Sequence, residues 1–79
     1  MARASITSVA KLVIVETLSE HECADLNDLV QRVVDELERL GVAALPENVA
    51  KVVKSVVSRN GRQLGACWAP GKSGRICRC

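Results

Sequence analysis

The sequence predicts a mostly α-helical fold, three helices closed by a small C-terminal β-hairpin, and three observations predict it. Apolar residues recur at helical spacing through three successive segments of the 79-residue chain. The tail then alternates in side-chain character around Pro70-Gly71-Lys72-Ser73-Gly74, a run of turn-forming residues. Charge also divides at the second inter-helix connection. Residues 1–45 carry four basic and eight acidic side chains (4 − 8 = −4), whereas residues 46–79 carry seven basic and one acidic (7 − 1 = +6). A formal total of +2 therefore hides a polar molecule. A chain of this length makes one domain with a thin stability margin, which a crosslink, a metal or a partner subunit commonly supplements.

The first helix is expected over about 5–20. Ile6, Val9, Ala10, Val13, Ile14 and Leu18 form its core face. The run Leu12-Val13-Ile14-Val15 also suits a buried strand, but its length and polar flanks favour helix. Leu12 and Val15 then project from the otherwise polar side, a small apolar strip that suits a dimer interface. The second helix, about 25–40, has the cleanest pattern. Leu26, Leu29, Val30, Val33, Val34, Leu37 and Leu40 fall within about 140° of arc. Asp25 suits the N-cap and Gly41 the position just past the C-terminus, and Asp28–Arg32 and Asp35–Arg39 have i,i+4 spacing. The third helix, about 46–60, opens on Pro46 and is expected to end at Asn60-Gly61. Val49, Val52, Val53, Val56 and Val57 make its apolar stripe, and β-branched residues in such number require tertiary packing to hold the helix. The hairpin covers about 63–79, with strands at 64–69 and 74–79.

Composition excludes several functions. There is no Phe or Tyr, and Trp68 is the only aromatic residue, which counts against modes that stack successive bases on aromatic side chains. No apolar run reaches the roughly 18 residues that a membrane span requires, and no secretory leader is evident, so the expectation is a cytoplasmic chain with no membrane partner. Gly71-Lys72-Ser73 imitates the end of a phosphate-binding loop, but Gly65 is one residue too far upstream and no helix follows. His21-Glu22-Cys23 sets a base near a thiol, yet sequence neighbours rarely share a catalytic geometry. With no acid pair, oxyanion motif or cofactor fingerprint, neither an enzyme nor a bound cofactor is expected.

Cys23, Cys67, Cys77 and Cys79 admit three readings. Cys67 lies across the expected turn from Cys77 and Cys79, so a Cys67–Cys77 or Cys67–Cys79 disulfide would fix the hairpin. Such a bridge is unusual inside a cell unless the source is a hyperthermophile. A zinc site from Cys67, Cys77, Cys79 and either Cys23 or His21 is the second reading, although Cys77-Arg78-Cys79 is tighter than the usual Cys-x2-Cys pair. Free thiols are the third.

Three helices followed by a basic hairpin resemble the winged helix-turn-helix superfamily, from about Ile6 to Cys79, in element order, lengths and charge placement. The resemblance implies a third helix in the DNA major groove and a wing on the backbone. Carried over by position, Asn48, Lys51, Lys54, Ser55 and Arg59 would face the groove, and Lys72 and Arg75 would lie on the wing. Two features depart from the family pattern: the connection from Gly41 to Leu45 is long for the sharp turn, and Glu47 stands where phosphate would approach. The chemistry of these side chains agrees with such a role. Amide and guanidinium groups read base edges, and lysines neutralise phosphates.

The expected function is therefore double-stranded DNA binding by a small transcriptional regulator, a homodimer through Leu12 and Val15 that presents two third helices to a two-fold site. The alternative is a protein–protein module or a subunit of a larger nucleic-acid-processing assembly, with the basic half facing an acidic protein. RNA is a further possibility, since a basic helix can follow an RNA backbone without aromatic residues.

Overall fold

A computed structural model describes residues 5–71 and 74–79. Lys72, expected on the wing, lies outside the described residues. In chain order the elements are α1 (Ile6–Glu20), β1 (Cys23–Asp25), α2 (Leu26–Arg39), α3 (Pro46–Leu64), β2 (Ala66–Trp68) and β3 (Arg75–Arg78).

Residues 12–15 are helical, and α1 is capped by Ser5, whose Oγ accepts from the Ser8 backbone N–H at 3.0 Å. The face from Val9 to Leu18 is buried as expected, while Leu12 and Val15 stand 55% and 43% exposed. Helix α2 buries Leu29, Val30, Val33, Val34 and Leu37 but leaves Leu40, its C-cap residue, exposed. It closes on a Schellman motif. Gly41 (φ 77°) donates to Glu38 and Val42 to Leu37, so two carbonyls of the last turn are satisfied. The i,i+4 ion pairs expected on this helix do not form. Asp35 accepts from the Gln31 amide at 2.9 Å, and Arg39 pairs with Glu36 at 3.2 Å, a contact open enough to water to contribute little.

Helix α3 starts at Pro46 as expected but runs past Asn60-Gly61 to Leu64, and Gly65 in the left-handed region (φ 69°) ends it. The reason is packing. Gly61 is buried where the returning chain passes close by, and a Cβ there would collide with the Ala66 carbonyl oxygen. The residue type that reads as a helix stop is a contact residue.

The expected two-stranded hairpin is part of a three-stranded antiparallel sheet ordered β1-β3-β2. Strand β1, absent from the sequence expectation, pairs Cys23, Ala24 and Asp25 with Cys77, Ile76 and Arg75. Leu26 donates to the Gly74 carbonyl at 2.7 Å and Arg78 to that of Glu22 at 2.8 Å, which extends the ladder at both ends. Two disulfides cross the sheet, Cys23–Cys77 and Cys67–Cys79. The second is one of the two anticipated pairings. The Cys67–Cys77 pairing does not occur, although the two residues are register partners, because Cys77 is bonded to Cys23 on its other side. With all four cysteines bridged, the zinc and free-thiol readings do not apply to this oxidised chain.

Strand alternation sorts the sheet by face. Ala66 and Ile76 are buried toward the helices, and the alternate positions place the four cysteines, Asp25 and Arg75 on the other face. Ile76 joins the valine and leucine stripes of all three helices in one core. Arg78, on the helix side, uses its Nε to donate to the Leu18 carbonyl in the last turn of α1, where a cation also complements the helix dipole.

Candidate nucleic-acid interface

Helix α3 packs its valine stripe against α1 and α2, and Val49, Val53, Val56 and Val57 are buried. Helical periodicity then fixes what the opposite side presents. Asn48, Lys51, Lys54, Ser55, Ser58 and Arg59 are all exposed. At 100° per residue these positions share one arc of about 140°. Lys51, Ser55 and Arg59 also line a single shallow depression where Thr7 of α1 approaches α3.

The longer helix adds Arg62, which is exposed and falls in the middle of that arc, one turn beyond Ser58. Sequence reasoning missed it because the helix was expected to stop at Asn60-Gly61. The available signal was Leu64, which continues the spacing of Val53 and Val57 and so argues for another turn.

Among the described residues no carboxylate lies within ion-pairing distance of Lys51, Lys54, Arg59 or Arg62, the one salt bridge being that within α2. Glu47 shares the exposed face at its first turn, where a carboxylate favours the helix N-terminus and repels phosphate. Four cations on one rigid helix, with a single acid at its end, are arranged to neutralise phosphates spaced along a backbone.

Arg75 stands apart from this face. It begins β3, the central strand, with Asp25 of β1 as its register partner, the two forming no ion pair. Arg78 is exposed as well, with its Nε held by the Leu18 carbonyl of α1. The basic tail thus divides, with four of its cations on α3 and two on β3.

Half of the acids in residues 1–45 share one groove. Glu16, Glu20, Asp35 and Glu36, with Arg32 and Arg39 among them, line a groove between α1 and α2. No group of His, Cys, Asp or Glu among the described residues is arranged to hold a metal ion, and no described helix is long and apolar enough to cross a membrane. No protein-family model, curated protein or solved structure significantly matches this chain.

Proposed function

We propose that this chain is a winged helix-turn-helix DNA-binding protein, a transcriptional regulator that lays α3 in the major groove. The observation that carries the reading is the exposed face of α3, where Lys51, Lys54, Arg59 and Arg62 stand without ion-pair partners among the described residues. The element order, with three helices followed by the β2–β3 hairpin and β1 paired to β3, supports it. Asn48 and Ser55 supply hydrogen-bonding groups for base edges, and the lysines and arginines supply phosphate contacts. The exposed Leu12 and Val15 on α1 support a homodimer that sets two α3 helices roughly 34 Å apart on the duplex.

The test is anisotropy of labelled random-sequence duplex across a salt series. Four neutralised phosphates per protomer give a log–log slope near −3.6 for one protomer on random-sequence duplex, so its affinity should fall on the order of a hundredfold between 50 and 200 mM salt. Replacing Lys51, Lys54 and Arg59 together with alanine should abolish binding and leave the unfolding transition intact. Absence of binding at low salt would sink the reading.

The two disulfides favour a second reading. They are at home in an oxidising compartment, where an acidic protein is a more accessible partner for α3 than duplex DNA. The cytoplasmic reading accommodates them if the host is hyperthermophilic, since intracellular proteins there are disulfide-rich. Free-thiol titration of the protein denatured directly from its native host decides between an oxidised and a reduced resident state.

A further inference from the structure

The carboxyl-terminal end of α3 does more than extend the basic face. Between its last turns and β2 lies a groove of about 540 Å³, within the range of small-molecule sites. Its floor is apolar and closely built. Val57, Gly61 and Ala66 are buried, and the missing Cβ at Gly61 is what lets strand and helix approach. Its rim holds Arg59, Arg62 and Trp68, and among the described residues no carboxylate lines it. Arg59 also borders the depression that holds Lys51 and Ser55, so one cationic track runs from the middle of α3 into the groove.

Trp68 is the unusual member. The chain has no Phe or Tyr, yet its one aromatic residue sits on an edge strand with 38% of its surface open. Its register partner Ile76 is fully buried and fills the core at that level of the sheet. A partly open indole lining the same groove as two arginines offers two complementary chemistries: a π-face for a planar ring and planar forks for phosphate oxygens.

We propose that this groove is a nucleotide site, in which an unpaired base stacks on Trp68 while Arg59 and Arg62 hold its phosphate. The inference deepens the duplex reading, and it rests on that reading for the strand that would deliver the base. A duplex on α3 would then be held more tightly where a strand end or frayed base can leave the helix toward β2. The shared chemistry, a base carrying a phosphate, also fits a free mononucleotide, and the two sources separate experimentally.

Because Trp68 is the only fluorophore of its class, its emission reports this groove alone. The protein is titrated with adenosine monophosphate, with a blunt duplex, and with the same duplex carrying a short single-stranded overhang. The overhang duplex should quench Trp68 and bind about tenfold more tightly than the blunt one, the scale of one base–aromatic stack. Trp68→Leu should lose that gain and keep the blunt-duplex affinity, and Trp68→Phe should restore it. If Trp68→Leu fails to fold, the emission of the wild-type chain still decides. Quenching by the mononucleotide at least as strong as by the overhang would assign the site to a free nucleotide, again supporting the groove. Equal affinity for blunt and overhang duplexes with no change in emission would overturn the nucleotide site and leave the duplex reading standing. Mononucleotide quenching without duplex binding would keep the site and remove the duplex reading. No response to any of the three would overturn both.

Discussion

Gly61 and Arg62 are neighbours with opposite duties. At Gly61 two effects compete when alanine is introduced: helix propensity gains about 1 kcal/mol, and overpacking costs about 1–3 kcal/mol. The atom met is the Ala66 carbonyl oxygen, backbone that cannot swing aside, so packing wins. Gly61→Ala should therefore lose about 1–2 kcal/mol, seen as a lower urea midpoint. An unchanged or raised midpoint would mean that helix and strand part without cost. Arg62 faces solvent and carries no such burden. Arg62→Ala should leave stability within about 0.5 kcal/mol and reduce the salt slope of duplex binding by about one. A slope equal to that of the wild-type chain would remove Arg62 from the interface.

Among the elements, α2 was the most legible because its apolar positions fill one arc and Gly41 marks a true end. Helix α3 was legible in its stripe and start but not in its length, since the same glycine serves a stop and a close contact equally well. Its candidate face was accordingly read one arginine short. Strand β1 was not legible, because Cys-Ala-Asp has no periodicity and owes its conformation to β3. Cys23 was the clue: if all four cysteines bridge, one bridge reaches from the first third of the chain to the tail, as Cys23–Cys77 does. The bridges should contribute unequally. Loop closure over 54 residues limits the unfolded chain by about 4 kcal/mol, and closure over 12 by about 3 kcal/mol. Paired serine variants should rank in that order by urea midpoint, with loss of Cys23–Cys77 the more damaging. The reverse order would point to native-state effects outweighing chain entropy.

At the scale of the whole molecule, the fold sorts charge that the sequence only segregates. Four of the acids line the α1–α2 groove, and the α3 cations, unpaired among the described residues, present a separate face that favours approach to a polyanion through α3. Leu12 and Val15 lie on α1, outside both the α3 face and the sheet. Replacing both with serine should convert a dimer to a folded monomer by sedimentation and weaken binding to a two-fold site more than to a half-site. A wild-type chain that already sediments as a monomer would remove that strip from the assembly. The crosslink from Cys23 to Cys77 has a mechanical consequence as well. Pulled from outside the ring it closes, the oxidised chain cannot pay out the stretch between Cys23 and Cys77, a sequence separation of 54 and roughly 180 Å of contour. The reduced chain would yield that length. Likewise, a protease that nicks the connection between α2 and α3 releases nothing, because both sides of the cut remain on one covalent ring. Only α1 can be shed, and with it the apolar strip on which pairing would depend.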